Sequence, residues 1–395
     1  MGLDAIEGVG RDPKRGGYSR HVFDPAEREL REWFVEQAQH RGLAVRCDRN
    51  GNLWAWWGEP GRDAVVTGSH LDSVPGGGAF DGPLGVVSAL AAVDALQAGG
   101  FTPSKPLAIV VFAEEEGGRF GVPCLGSRLL SGAIDPDVAR RLHDPAGITF
   151  AEAAAEAGLD PAGIGRDDDA LSAIGTFVEL HVEQGRGLVD LGAPVGVASS
   201  ILAHGRWRFT FTGEGNHAGA TLLGDRRDPM VPAAEMVLAT RIAGSEVDGA
   251  RATVGRIVPN PGGTNVIAST VDVWLDARAD DDHDTRRVVA RIREMATEAA
   301  ARENCELTVV EESYGDTVVF DSGLRDTLSA ALGGVPALPT GAGHDAGILA
   351  AHVPTAMLFV RNPTGVSHAP EEFAQESDCQ AGVAALATVL GRLAG

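Results

Sequence analysis

Apolar and polar positions follow two textures along the chain. Up to residue 200, apolar residues come in short solid runs, broken by glycine-rich or acidic turns and alternating with helical spacing. Residues 25–42 carry Leu30, Trp33, Phe34 and Ala38 at helical intervals behind Asp24-Pro25, a cap and first turn, and so predict a helix. Val45 to Trp57 alternates around Asn50-Gly51-Asn52 and predicts a hairpin. Ala64 to Thr67, Leu107 to Ala113 and Gly175 to Leu180 are short, largely apolar segments and predict buried strands. Pro83 to Gln97 predicts an Ala/Val/Leu helix with proline in its first turn and Gly99-Gly100 at its end. This alternation predicts an α/β domain: a mixed, largely parallel sheet flanked by helices, with ligands gathering beyond the C-terminal strand ends.

After residue 200 the apolar period shortens to two. Arg206 to Thr212 alternates as an exposed strand, Pro232 to Ile242 is helical, and Ala252 to Val258 and Ser269 to Arg278 are strands. Asp284 to Glu303 is a long amphipathic helix and Glu306 to Glu312 a further strand. The order strand–helix–strand–strand–helix–strand predicts a ferredoxin-like α+β unit. Residues from Thr317 onward return to the Gly- and Ala-rich style of the beginning. The expected organisation is therefore a metal-binding catalytic domain in two parts, 1–201 and 315–395, interrupted by an insert at 202–314. The insert's outer strand edge offers a pairing surface for a second copy, which predicts a homodimer. Hinges near 200 and 316 would let it act as a lid. Residues 165–170 read as an acidic, solvated turn.

Composition narrows the function. Over 395 residues, 55 acidic and 33 basic side chains leave a formal charge of −22, which argues against nucleic acid or an anionic membrane surface as partner. With 44% hydrophobic and 22% charged residues the chain is that of a globular protein rather than a disordered one. No apolar run approaches the ~20 residues of a membrane helix. Met1-Gly2-Leu3-Asp4 lacks a basic-then-apolar signal pattern. Cys47, Cys124, Cys305 and Cys379 are far apart with no CxxC, which argues against a disulfide framework or a thiolate zinc site and predicts a cytoplasmic protein.

Imidazoles and carboxylates gather at the ends of the predicted strands. His70-Leu71-Asp72 leads through Gly76-Gly77-Gly78 to Asp81; in an extended His-x-Asp both side chains share a face, so Asp72 is expected to hold the far nitrogen of His70. Glu114-Glu115-Glu116 follows the 107–113 run, His181-Val182-Glu183-Gln184 follows the 175–180 run, and His368 lies in Ser367-His368-Ala369-Pro370. Taken singly, each histidine reads best as a hydrogen-bonded structural residue and the glutamates as a solvated loop. Taken together, three imidazoles and two or three carboxylates at strand ends point to transition cations such as zinc, manganese, cobalt or nickel, and not to calcium or magnesium. Adjacent carboxylates are costly without cations between them.

These same segments resemble a known family. Ser69-His70-Leu71-Asp72-Ser73-Val74-Pro75-Gly76-Gly77-Gly78-Ala79-Phe80-Asp81-Gly82, Phe112 to Phe120 and His181 to Gly185 look like the N-carbamoyl-L-amino-acid hydrolases of the hydantoinase/carbamoylase family. That family includes allantoate amidohydrolases and β-ureidopropionases and is related to the aminoacylase-type metallopeptidases. Asn216-His217-Ala218-Gly219, Gly263 to Ile267, Gly343-His344-Asp345-Ala346 and Ser367-His368 follow in the family's order, and the similarity runs from about Arg11 to the C-terminus. The resemblance implies a zinc-aminopeptidase-like fold with an inserted lid and dimerisation domain, holding two divalent metal ions per subunit. It implies one ion on His70, Asp81 and His181, the other on Asp81, Glu116 and His368, with Asp81 bridging. Glu115 would be the general base for the attacking water. His217 would stabilise the oxyanion. Gln184 would contact the ureido group, Asn265 and Arg278 the substrate carboxylate, and His344 either the substrate or Asp345.

The implied reaction is hydrolysis of the ureido C–N bond of an N-carbamoyl-L-amino acid, a small anionic substrate, to the amino acid, carbon dioxide and ammonia. The same chemistry on allantoate or a β-ureido acid is the nearest alternative. A dipeptidase or N-acyl-amino-acid hydrolase, or a catalytically silent binding protein, is a further one. An independent reason favours Arg278: a protein this acidic needs local positive charge to hold an anion, and a guanidinium offers a two-pronged fork; the plainer alternative is an ion pair on an edge strand. Ala220-Thr221-Leu222-Leu223, Ala203-His204-Gly205 and Asn362-Pro363-Thr364 depart from the family's usual pattern, and the first two leave the substrate's identity open.

Overall fold

A computed structural model describes residues 2–395. The chain divides into two compact units, one of residues 1–200 and 319–395, the other of residues 201–318.

The first unit is built on a nine-stranded sheet. From one edge its strands run Ala44–Cys47, Leu53–Trp57, Leu107–Phe112, Ala64–His70, Ile174–Val182, Thr355–Val360 and Val195–Ile201, and the short strands Val318–Val319 and Ala337–Thr340 both pair with the last of these. The four middle strands of this order are mutually parallel. The strands outside them pair antiparallel, including the hairpin around Asn50-Gly51. Leu107–Phe112 and Ala64–His70 are buried along their whole length, as solid apolar runs require in a sheet covered on both faces. The helix Pro83–Ala98 starts on its proline, stops at Gly99 and buries nearly all of its first half. It packs on the strand Ala64–His70, and the helix Glu376–Ala394 packs on it in turn. A smaller core around Phe23, Phe120, Leu125, Leu129 and Phe150 lies apart from the main one.

The strand Ile174–Val182 carries His181 at its end, as expected. One sequence expectation needs correction here. Residues 165–170 are solvated only in part: Arg166, Asp168 and Asp169 are exposed, as expected, but Asp167 is not. Asp167 is 7% exposed, caps the short helix Asp168–Ala173 by accepting the Ala170 amide, and pairs with Arg49 at 3.0 Å. A helix of six residues is too short to display a period, so only its cap was there to be read.

The second unit is a four-stranded antiparallel sheet in the order Glu306–Gly315, Ala203–Thr212, Thr270–Ala279, Arg251–Asn260, with helices Met230–Ser245 and Asp282–Arg302. Chain order and sheet order together are ferredoxin-like. Trp207, Phe209 and Phe211 alternate inward opposite Val271, Val273, Leu275 and Ala277, and the helix Asp282–Arg302 buries Val288, Ile292, Ala296 and Ala299. The strand Thr270–Ala279 is interior, so Arg278 is not on an edge strand, although the ion pair of that alternative is present, to Asp276 at 2.8 Å. The edge strands are Glu306–Gly315 and Arg251–Asn260. The helix Met230–Ser245, which lies against the second, leaves Leu238 at 66% and Ile242 at 46% exposure.

Candidate active site

The four parallel strands end side by side at Phe112, His70, Val182 and Val360, and each delivers one sequence cluster to the same sheet edge. Gly68 pairs with Glu179, so the register carries His70 level with His181, and their rings stack 5.9 Å apart. Asp81 returns to this edge through the glycine loop after His70. Gly82 then turns at φ 81°, where a Cβ would sit 2.4 Å from the His70 ring. Only a residue without a side chain lets the backbone cross the imidazole this closely.

Asp81 stands at the centre. Its Oδ1 is 3.5 Å from His70 Nε2 and 3.2 Å from His181 Nε2. Its Oδ2 is 3.4 Å from His368 Nε2, which is itself 3.4 Å from Glu116 Oε2. His70, Asp81 and His181 form one group with ligand atoms within 4.8 Å of one another, and Asp81, Glu116 and His368 form a second. A third such group, Glu179, His181 and His344, shares His181; the Glu179 carboxylate there is taken up by the Ser69 hydroxyl and the Ala346 amide.

The imidazoles are oriented by backbone carbonyls. His70 Nδ1 bonds Asp72 O at 3.0 Å and His181 Nδ1 bonds Val182 O at 2.9 Å. These bonds put a proton on each Nδ1 and turn each Nε2 toward Asp81. His70 Nε2 is buried with no hydrogen-bond partner, although Asp81 and Glu115 oxygens each lie 3.5 Å away. A lone pair facing carboxylates calls for a positive charge between them. Protons express that demand: burial alone would lower His70 and His181, yet the carboxylates, Glu115 first for His70 and Asp81 for His181, hold both above the usual imidazole value. Burial and Asp81 push Glu116 up to about 7, and the hydrogen bond to Asp81 pushes His368 up to about 9. Burial raises Glu115 well above the ordinary glutamate value, against the pull of His70.

Asp72 holds the far nitrogen of His70 as expected, but its nearer atom there is the backbone carbonyl at 3.0 Å, with carboxylate Oδ1 at 3.6 Å from the same Nδ1; the carboxylate also accepts the amides of Glu115 and Glu116 at 3.2 and 3.0 Å and so fixes the turn that carries both. Glu115 Oε2 then faces His70 Nε2 while the Cys124 thiol donates to Oε1 at 3.3 Å. Gln184 lies against the aspartate: its Nε2 donates to Asp81 Oδ2 at 2.8 Å and to the Ser367 hydroxyl at 3.1 Å, and its buried Oε1 is without a partner. His344 packs its ring 4.5 Å from that of His181 and also buries an unpartnered Nε2. Asp345 bonds the Ser127 hydroxyl at 2.5 Å.

Glu179, Ser127, Cys124 and Glu372 escaped the sequence reading. Glu179 had a signal, a lone carboxylate inside the apolar run Ile174–Val182. Glu372 had none, since Glu371 precedes it and nothing local separates the two.

In the second unit His217 and Asn265 sit together, where the Asn216–His217 bridge pairs with Val266–Ile267 and the Ala218 amide bonds Asn265 O. His217 Nδ1 accepts the amides of Gly219 and Ala220, both at 3.1 Å, which leaves its proton on an exposed Nε2. Arg278 stands near the other end of the strand, level with His204, and makes a two-pronged pair with Asp276 at 2.8 and 3.0 Å.

Residues 66–392 match the family described as peptidase family M20/M25/M40. The chain belongs to that family. Among curated proteins similar to this chain, an N-carbamoyl-L-amino acid amidohydrolase of Geobacillus stearothermophilus is 36% identical over 98% of this chain and 95% of its own length. A ureidoglycolate hydrolase of Arabidopsis thaliana is 35% identical over 89% and 77%. An allantoate amidohydrolase of Escherichia coli is 32% identical over 99% and 96%. The crystal structure of a hydantoinase/carbamoylase family amidase from Burkholderia vietnamiensis superposes with a TM-score of 0.87, at 30% identity, over 99% of this chain and 95% of that one.

Proposed function

We propose that this M20-family protein is a metal-dependent amidohydrolase that cleaves the ureido C–N bond of N-carbamoyl-L-amino acids. The observation that carries this reading is Asp81, which turns one oxygen to a His70/His181 pair and the other to His368, with Glu115 beside them. The residues fit a pair of divalent transition ions: imidazole lone pairs face carboxylates across gaps of 3.2 to 3.5 Å, and no sulfur lies among the donors. His70, Asp81 and His181 would hold one ion, and Asp81, Glu116 and His368 the other. When bound, such ions acidify a water and polarise a carbonyl oxygen.

The protein's own groups supply the rest. Glu115 takes the proton from water as its oxygen attacks the ureido carbonyl, then delivers it to the departing nitrogen. The C–N bond breaks to give the amino acid and carbamic acid, which falls to carbon dioxide and ammonia. Gln184 Oε1 and His344 Nε2 are buried polar atoms in want of partners and would meet the ureido group. His217, protonated on Nε2, would donate to the oxyanion. Arg278, whose fork Asp276 holds in place, and Asn265 would take the carboxylate. The substrates named for the relatives are all ureido groups beside a carboxylate, so this donor set serves the class, and the N-carbamoyl amino acid follows the relative at 36% identity. Four unpaired cysteines support a reducing, cytoplasmic setting, and among the described residues no helix is long and apolar enough to cross a membrane.

A panel of N-carbamoyl-amino acids, ureidoglycolate, allantoate, β-ureidopropionate, a dipeptide and an N-acetyl amino acid, assayed with manganese, cobalt, nickel or zinc restored, tests the reading. Ammonia release fastest from an N-carbamoyl amino acid is expected. Preference for another ureido acid would reassign the substrate, and turnover of the dipeptide or acyl amino acid alone would overturn ureido specificity.

We also propose a homodimer in which each site draws on both copies. Arg278 and the His217–Asn265 pair lie toward opposite ends of a ladder of ten residue pairs, ~30 Å at ~3.3 Å per residue. No ureido acid spans that distance, so one unit 201–318 cannot offer both to one substrate. The edge strand Arg251–Asn260 and the apolar Leu238 and Ile242 beside it supply a self-complementary face.

A further inference from the structure

Glu372 takes no part in the chemistry above, yet it is buried and its carboxylate ties together two segments nearly 300 residues apart. Its Oε1 accepts the backbone amides of Phe80 and Asp81, both at 2.9 Å. Its Oε2 accepts the Ser367 hydroxyl at 3.0 Å, and that hydroxyl also stands 3.1 Å from Asp81 Oδ2. The approach is tight enough to fix a residue type: a Cβ on Gly78 would lie 2.3 Å from Glu372 Oε1. The third glycine of the loop is therefore a seat for this carboxylate.

The two candidate ion groups differ in what holds them. His70 and His181 ride on interior strands, with rings fixed by carbonyls. His368 rides on a loop, leaves half of its side chain exposed, and takes φ 56°, a left-handed conformation that a non-glycine residue keeps only when its surroundings insist. Asn362 knots the early part of that loop by accepting the Thr364 and Gly365 amides and donating to Val366 O. On its far side the loop is tied to the Asp81 turn through Ser367 and Glu372.

We infer that Glu372 is a positioning residue, a latch that holds the His368 loop against the Asp81 turn and so sets the spacing of the Asp81–Glu116–His368 group. This rests on the two-ion reading above. Its loss weakens binding at that group by tenfold or more while the strand-borne group keeps its affinity. The alternative is that the carboxylate only satisfies two amides ahead of the helix Pro83–Ala98, in which case its loss would lower thermal stability and leave the second ion in place.

The test is manganese titration of chelator-treated protein, read by bound metal per chain and by electron paramagnetic resonance. Wild type is expected to take two ions and give an exchange-coupled spectrum. Glu372→Ala is expected to keep one ion at near wild-type affinity, bind the second at least tenfold more weakly and show the spectrum of isolated manganese. Glu372→Gln, which retains an oxygen for both amides, should recover coupling. Should Glu372→Ala not fold, Ser367→Ala cuts the loop side of the latch, together with that hydroxyl's contacts to Gln184 and Asp81, and is judged by the same criteria. A coupled pair at wild-type affinity in the variant, or equal loss of both ions, overturns the latch. A wild type that binds no manganese, cobalt, nickel or zinc overturns the two-ion reading itself.

Discussion

Residue identity decides most where one side chain has two atoms with different work. Asp81 serves both imidazole groups because its two oxygens face different ways, and Glu115 keeps one oxygen for the Cys124 thiol and one for the site. Glu115→Gln preserves shape and would remove the proposed base. It is expected to bind metal as wild type does while kcat falls by about 10²–10⁴, measured by metal content alongside steady-state kinetics; an unchanged kcat would take Glu115 out of the reaction. Protons compete with metal at the same atoms. Glu116 at about 7 and His368 at about 9 both lie above their ordinary values of 4.5 and 6.5. In the metal-free protein each raised group favours the folded state below its ordinary value, and that advantage is lost as pH rises through the folded one. Metal binds the deprotonated forms, so the gap in melting temperature between manganese-loaded and chelator-treated protein should widen from pH ~5 to ~9, the apparent affinity rising by up to about tenfold per pH unit for each proton displaced. A gap that narrows over this range would show that neither group holds the metal. The sequence displayed these donors, as histidines and carboxylates behind apolar runs. It could not display that the nearer Asp72 atom to His70 is the carbonyl, because His-x-Asp spacing is the same for either atom.

Elements explain why residues remote along the chain meet. Short apolar runs rich in β-branched residues and bounded by turns were readable as interior strands, whereas the longer apolar stretch 83–98 forms a buried helix, and parallel strands necessarily deliver their C-terminal ends to one edge. The short helices at 125–131 and 168–173 carried too few residues for a period, and Cys124 and Ser127 went unread with the first of them. The turn from Asp81 into the helix Pro83–Ala98 is where element and site are inseparable. Gly82→Ala places a methyl within 2.4 Å of the His70 ring at φ 81°. It is expected to cost about 1–3 kcal/mol of stability by chemical denaturation and to weaken metal binding, since Asp81 or His70 must retreat. The control is Gly42→Ala, also at positive φ but with nothing within 4 Å of the added atom. It bears the backbone strain alone and should leave metal affinity unchanged. Equal metal affinity in both variants would mean that the contact with His70 does not matter.

At the scale of the whole molecule the decisive feature is the length of the ladder in residues 201–318. The alternating pattern of Arg206–Thr212 and Ser269–Arg278 revealed the ferredoxin-like insert, but pairing register, which no periodicity encodes, sets His217 and Arg278 at opposite ends. If both act on substrate, one of them acts across a dimer, and mixing inactive variants finds which. In a hybrid of Glu115→Gln with His217→Ala, a His217 that works in the partner's site leaves one site with its base and its histidine intact; a His217 that works in its own leaves none. The same holds for Glu115→Gln with Arg278→Ala. Random reassortment of equal amounts makes about half the dimers hybrid, each with one working site of two, so about a quarter of wild-type activity should return in one of these mixtures and none in the other. Recovery in neither, when light scattering shows dimers and reassortment is complete, would refute the shared site; recovery in both would put both residues in the partner's site and refute the argument from the ladder's length. Leu238→Glu, on the exposed helix face beside the edge strand, should then yield monomers that bind metal at wild-type stoichiometry and lose turnover, since the second copy's contribution departs while the ion-binding residues stay.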